Sequence, residues 1–412
     1  MSGAEVLLLM DDRPSSFARY AARELAGRLV LLRFADSRPD LPEEYLRETA
    51  HLPAFWVREG STVGGEARRY RDWAAGLPVA PTRFCNPSEP RQAVAQRFAE
   101  LAGLPHLSER QVALVRDKAA MKECFRELGL RTAEFARVRS GAGIERFAAR
   151  HGWPVVLKPV DSFACVDTHR LDGPGDLAGI DLTARDWMVE AYLAGTEWEA
   201  CAIVLGGEVL DVWPSAMPCR PLDIVDGAMN ANISVGTAEG PPVDLRALIQ
   251  RIITGIGVDH GYAHMEFFLI DGEVYAGEIG VRLAGCEIPA NHGHAYGFDV
   301  FGATLAVYLG RRPDLDYQER CCAGDLLLPL PGTGLVRRIT SRDELLEMPG
   351  VIDAVLKVRA GDPVTARRAS HNASGYVHVV GASVGEVESR MREVLARFTI
   401  EVGAREGHVV AT

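Results

Sequence analysis

Hydrophobic runs of four to six residues alternate with amphipathic stretches over the first hundred positions. Val6–Met10, Leu29–Phe34, Ala54–Val57 and Arg83–Cys85 read as short strands. Ser15–Leu25 and Pro90–Leu101 carry apolar residues at helical spacing. Strand–helix alternation of this kind predicts a parallel sheet. Asp11-Asp12-Arg13-Pro14 follows the first strand, with no G-x-G-x-x-G, so no dinucleotide site is expected there. Ser108-Glu109-Arg110-Gln111 is a capping box that opens one long expected helix to about Leu128, with Gly129 as its stop. Further strands are expected at Pro154–Pro159, within DSFACVDTHRL (161–171), and at Asp186–Glu190. A hairpin turning on Gly206-Gly207 follows. Residues 214–240 read as a long polar connection, Asp244–Ile256 and Val300–Leu309 as helices. After about residue 311 the pattern changes. Strands near Asp325–Leu330, Val351–Arg359 and Tyr376–Val380 and a helix over Val384–Phe398 predict a separate α+β piece.

The stretch HMEFFLIDGEVYAGEIGVRLAG (264–285) places Asp271-Gly272 between two apolar runs, a strong hairpin signal. A two-residue loop would set Glu266 and Glu278 on opposite faces. A three-residue loop with Gly272 in a bulge pairs Leu269 with Glu273, Glu266 with Ala276 and His264 with Glu278. It collects Met265, Phe267, Leu269, Tyr275, Ile279 and Val281 on one face, and it is the register expected here, because a one-residue slip would bury a charge. Two carboxylates on neighbouring strands, about 5 Å apart at an effective dielectric near 20, repel by roughly 3 kcal/mol. Protonation of one, pairing with Arg282, or a hard cation such as Mg²⁺ or Mn²⁺ would offset that.

Composition narrows the function. The chain has 412 residues, 47% hydrophobic and 25% charged, with a formal charge of −11. That balance disfavours nucleic acid as a partner. No apolar stretch reaches membrane-spanning length, and the N-terminal residues lack a basic leader, so a cytoplasmic protein without membrane contact is expected. Eight cysteines form no C-x-x-C pair, which disfavours zinc. Only four of 45 basic residues are lysines: Lys118, Lys122, Lys158 and Lys357. In a chain biased toward arginine, a retained lysine marks a place where a compact ammonium is needed, and Lys118 and Lys158 draw attention first.

These residues resemble the ATP-grasp superfamily, most closely its carboxylate–amine ligases such as the L-amino-acid (dipeptide) ligases. The resemblance spans roughly residues 105–310. It implies an α/β and α+β architecture with an N-terminal α/β domain (1–105), a small ATP-grasp lobe (106–190), a large lobe carrying the metal hairpin (191–310) and a C-terminal α+β subdomain (311–412). It implies that Lys118 and Lys158 contact ATP phosphates, with Ser162 donating from the loop beyond. Glu190, Ala191, Tyr192 and Leu193 would form the adenine hinge, and Glu197 would hold the ribose. Glu266 and Glu278 would hold Mg²⁺ or Mn²⁺, and Arg282 would act on the γ-phosphate and acyl-phosphate. Arg220, His264, Glu287 and His294 are weaker candidates for substrate contacts. The chain departs from the family in two places. Gly280 stands where a further metal-binding Asn is usual, and DSFACVD lacks the glycines of a phosphate-covering loop. The implied activity is ATP-dependent joining of a small carboxylate and an amine through an acyl-phosphate. A biotin-carboxylase-like carboxylase and a non-catalytic nucleotide-binding protein are the alternatives. A homodimer is expected only as the commonest soluble assembly.

Overall fold

The structure, a computed structural model, describes residues 5–366 and 369–403. The N-terminal strands form a four-stranded parallel sheet in the order Ala54–Val57, Leu29–Phe34, Leu7–Met10, Arg83–Cys85. Both faces are covered, which is why the strands are apolar throughout rather than alternating. Leu8 and Met10 pack toward helices Val63–Ala74 and Gln92–Ala102. Leu7 and Leu9 pack toward helix Ser16–Glu24 and helix Val300–Tyr308 of the main body.

The long helix expected from Ser108 is two helices, Glu109–Arg116 and Lys118–Glu127. Asp117 breaks it. Its backbone is extended (φ −86°, ψ 105°) and its carboxylate caps Ala119 and Ala120, each at 3.0 Å. An aspartate satisfies free helix N–H groups better than it fills a helix interior. Both helices pack on the large sheet with helix Leu245–Ile256, whose Ile249, Ile252, Ile253 and Ile256 share one apolar stripe.

A small antiparallel sheet, Phe135–Val138, Trp187–Ala191, Val155–Pro159 and His169–Leu171, carries helix Gly141–His151. The large antiparallel sheet has eight strands in the order Glu273–Gly280, His260–Ile270, Thr196–Leu205, Glu208–Ala216, Ala231–Ser234, Cys322–Pro329, Ala373–Gly381, Val351–Leu356. The C-terminal strands Cys322–Pro329, Ala373–Gly381 and Val351–Leu356 therefore continue this sheet, around a hydrophobic cluster of their own. The link is Ala231–Ser234, a strand hidden in the connection read as irregular, paired on its two sides with Glu208–Ala216 and Cys322–Pro329. A three-stranded sheet (Gly334–Ile339, Pro363–Val364, Ile400–Gly403) stands beside it. Among the described residues no helix is long and apolar enough to cross a membrane, and all eight cysteines are free.

Candidate active site

A cavity of about 860 Å³ opens where the N-terminal domain, the small sheet and the large sheet meet. All four lysines of the chain line it. Scarcity was thus a usable signal for Lys122 and Lys357 as well as for Lys118 and Lys158.

The hairpin register differs from the expected one. The loop has two residues, Asp271 (φ 51°) and Gly272 (φ 80°), and Ile270 pairs with Glu273. Positive φ at both is the type I′ geometry that Asp-Gly favours. Phe267 pairs with Ala276, then the register slips by one residue, and Glu266 stands directly opposite Glu278. A bulge at Gly277 does this, so Val274 and Ala276 pack in the core near the turn while Ile279 and Val281 do so beyond it. Gly277 is required by close approach: a Cβ there would lie 2.8 Å from the Glu266 carbonyl oxygen. The two acids share a face, as expected, but by a bulge and not by a longer loop.

Glu278 receives both lysines. Lys118 Nζ donates to it at 2.5 Å and Lys158 Nζ at 3.0 Å. Lys158 also pairs with Glu190 (2.7 Å), which meets Lys122 (3.0 Å). Lys122 in turn donates to Thr132 Oγ1 at 3.0 Å. The result is a buried chain of alternating charge, Lys118–Glu278–Lys158–Glu190–Lys122. Burial pushes Glu278 upward, but Lys118 and Lys158 outweigh it and hold the carboxyl well below its usual range. Glu266 lacks such partners, and burial followed by the Glu278 charge holds it above the usual range. Glu197 is raised as well, by burial first and then by Glu266.

Arg282 lies at the cavity wall, gripped through Nε (3.0 Å) and Nη2 by Glu89, which also binds Arg116. Its Nη1 donates to Leu283 O at 2.7 Å and faces His264 Nδ1 at 3.2 Å. Glu89 escaped the sequence reading because it lies 193 residues away on a loop. Glu199 escaped as well. It sits opposite Glu266 on the next strand, and with His264 and Glu266 it brings potential ligand atoms within 4.8 Å of one another.

The glycine-free loop after Lys158 achieves a glycine-like path. Ala164 (φ 49°), Cys165 (φ 55°) and Asp167 (φ 56°) all occupy the left-handed region. Ser162 is buried and its hydroxyl donates to Pro159 O at 3.3 Å, so it is turned to its own backbone. The loop docks on the C-terminal segment: Ser370 N–H donates to Ala164 O (3.1 Å), and Phe163 stacks on His371 at 6.1 Å and 16°.

Ala191, Tyr192, Leu193 and Glu197 line the same cavity. Ala191 N–H is taken by Glu134 O at 2.8 Å. Arg220 is committed to this segment and does not reach out for a carboxylate: it donates to Leu193 O (2.9 Å) and Gly195 O and covers the Tyr192 ring at 5.0 Å. Glu287 faces the cavity and accepts from Ser16 Oγ at 3.0 Å, tying helix Ile288–Tyr296 to helix Ser16–Glu24. His294 is not brought to the cavity. It is exposed and meets His378 edge-on at 5.0 Å. Its neighbour His292 is a buried structural histidine, bonded through Nδ1 to Ser234 (2.8 Å) and kept neutral by burial, at about 3.

An antiparallel small sheet and a larger antiparallel sheet closing on a lysine- and glutamate-lined cavity make up the ATP-grasp fold, which amino acid ligases share with biotin carboxylases. The chain is similar to the L-amino acid ligases among them. Residues 326–403 match the family L-amino acid ligase C-terminal domain 2. The L-arginine-specific L-amino acid ligase of Bacillus subtilis is 22% identical over 268 residues, 62% of this chain and 64% of that protein. A D-alanine–D-alanine ligase of Geobacter sulfurreducens is 28% identical over 200 residues, 45% of this chain and 61% of that one. The chain thus aligns with under two thirds of each of these relatives. The crystal structure of an L-amino acid ligase from Bacillus licheniformis superposes with a TM-score of 0.76 at 18% identity, covering 97% of this chain and 99% of the other.

Proposed function

We propose that the chain is an ATP-dependent carboxylate–amine ligase that activates an amino acid as its acyl-phosphate and passes the acyl group to an amine. The observation that carries this reading is the Lys118–Glu278–Lys158 pairing directly across from Glu266, inside a cavity that also holds Arg282. Fixed cations and hard carboxylates side by side suit phosphoryl transfer, where catalysis is positioning and charge neutralisation.

Glu266 and Glu278 would hold Mg²⁺ or Mn²⁺, whose preference for oxygen donors fits this pair. A bound divalent ion would neutralise phosphate oxygens. Lys118 and Lys158 then exchange Glu278 for phosphate oxygens of ATP, with Lys122 keeping Glu190 in place. The hinge of Ala191, Tyr192 and Leu193 takes the adenine, with Glu197 at the ribose. Arg282, oriented by Glu89, stabilises charge on the phosphoryl group as the substrate carboxylate attacks it. The loop carrying Ser162 and the segment around Ser370 keep water from the acyl-phosphate. Acid and amine enter from the end of the cavity lined by Glu287 and helix Ser16–Glu24.

The test is ADP release and acyl-hydroxamate formation with Mg²⁺, ATP, pooled amino acids and hydroxylamine, with Glu278→Gln as control. Hydroxamate absent from the control is the expected result. Bicarbonate-dependent ADP release without hydroxamate would replace this reading with a carboxylase.

A further inference from the structure

The row of acids in the large sheet continues one strand past the pair already described. Glu278 stands opposite Glu266, and Glu266 opposite Glu199. Directly opposed residues share a face, and neighbouring strands are about 4.8 Å apart. Glu278 is satisfied by two lysines. Glu199 is not: its residue is 5% exposed, its Oε2 has no hydrogen-bond partner, and it faces the cavity. A buried carboxylate oxygen without a donor is costly to the fold unless a donor arrives with the ligand.

The geometry distinguishes two kinds of cation. Glu199, His264 and Glu266 are close enough to hold a metal ion. Arg282 Nη1, however, faces His264 Nδ1 at 3.2 Å. A guanidinium has only donors, so Nδ1 accepts from it and is already engaged. His264 Nε2 lies 3.5 Å from Glu199 Oε1 without a hydrogen bond. What remains beside Glu266 is a carboxylate oxygen aimed into the cavity, which suits a group with several N–H donors and a positive charge.

We propose that Glu199 receives the α-ammonium group of the amino acid whose carboxylate is activated. The assignment rests on the ligase reading above and names the substrate class for the donor acid. In an α-amino acid both groups hang on one carbon. A carboxylate placed at Arg282 and the Glu266–Glu278 pair leaves the nitrogen within one strand spacing, at Glu199. Glu199 is then a specificity residue. An acid lacking the α-amino group would leave this carboxylate buried and unpaired, the situation in which sites discriminate most strongly.

Calorimetry on the full chain, with Mg²⁺ and a non-hydrolysable ATP analogue, tests this. The proteinogenic L-amino acids are titrated in, and each binder is compared with its des-amino acid, such as L-leucine with 4-methylpentanoate. The wild type is expected to prefer the amino acid by about 100-fold or more. Glu199→Gln is expected to lose about 100-fold in amino-acid affinity and to treat the pair alike, with nucleotide affinity within about twofold as the check on folding. Equal binding of the pair by the wild type overturns the assignment without recourse to any variant, and so does binding of none of the amino acids. Unchanged preference in Glu199→Gln overturns it too. Weaker Mn²⁺ binding by that variant without amino acid, read by electron paramagnetic resonance, would make Glu199 a metal ligand instead. Amino-acid binding that meets these expectations with no ADP or hydroxamate from the wild type would sink the ligase reading and keep Glu199 as the ammonium site. Hydroxamate formed from des-amino acids alone would do the reverse.

Discussion

Lys122 and Lys357 both face the cavity, but their surroundings make them different residues. Lys122 is 2% exposed, holds Glu190 and Thr132, and is pulled below the usual lysine range by burial, an effect Glu190 partly offsets. Removing it strands part of a buried charge chain. Lys122→Met is expected to cost roughly 3 kcal/mol in urea unfolding, whereas Lys357→Met, at an exposed ammonium near the Tyr376 ring, is expected to cost under about 0.5 kcal/mol. Ala164 is a second instructive residue. A left-handed backbone costs an L-residue about 1–2 kcal/mol, partly offset in a glycine by about 0.5–1 kcal/mol of extra unfolded-state entropy. Ala164→Gly is therefore expected to raise the melting midpoint slightly, the reverse of the usual effect of adding glycine. A drop would mean that the loop gains more from the Ala164 methyl than the torsion costs.

At the scale of elements, the sequence carried turn and cap chemistry well and long-range register poorly. Asp271-Gly272 marked the hairpin, and Ser108 with Gln111 marked a helix start that forms as a capping box. The bulge at Gly277 was not legible, because it is set by the close approach of the Glu266 carbonyl on the partner strand. Gly277→Ala is expected to cost about 1–3 kcal/mol and to raise the apparent KM for Mg·ATP, since Glu278 must rotate or retreat. A variant with wild-type stability and KM would show that the bulge does not set the spacing of the two acids. Asp117 was visible as a residue, yet its role as the break was missed because apolar spacing continues through it. The strand Ala231–Ser234 is four residues long inside a polar connection, too short for any periodicity to emerge. Among candidate site residues, those on strands and hinges came from motif order, and the fold brings them to one cavity. Glu89 and Glu199 became visible only once folding placed them beside Arg282 and Glu266. Arg220 does line the cavity, but its carbonyl partners leave no trace in spacing.

Across the whole molecule, the C-terminal strands are joined to the ATP-grasp body through strand Cys322–Pro329, and a buried acid sits in that join. Asp325 is fully buried and accepts from Asn291 Nδ2 at 2.6 Å, while Asn291 Oδ1 meets His378 Nδ1 at 2.9 Å. Burial pushes Asp325 up to about 7, against a hydrogen bond from Asn291 that lowers it. Its folded pKa exceeds its unfolded one, so its protonated form stabilises the fold below about pH 4, and that contribution is lost as pH rises toward 7. His378 is kept neutral, at about 4, by burial, so its contribution runs the other way: present above about pH 6.5 and lost as pH falls. The two oppose each other in the same window, and the comparison with Asp325→Asn separates them. The variant is expected to gain stability relative to the wild type as pH rises from 5 to 8, read from paired urea midpoints. A constant difference across that range would mean that Asp325 stays charged in the fold.

The chain Lys118–Glu278–Lys158 has a consequence for the order in which ligands can be held. With its carboxylate and ammonium groups already matched to one another, the resting site offers little to a lone visitor. A divalent ion alone must strip two ammonium groups from Glu278, and a triphosphate alone must draw two lysines away and leave an acid beside its own negative charge. Arriving together, each takes the partner the other releases. The coupling free energy is reciprocal by linkage, so under the proposed function the site would behave as a coincidence detector built from an exchange of counter-ions, and neither ligand alone should register more than weakly.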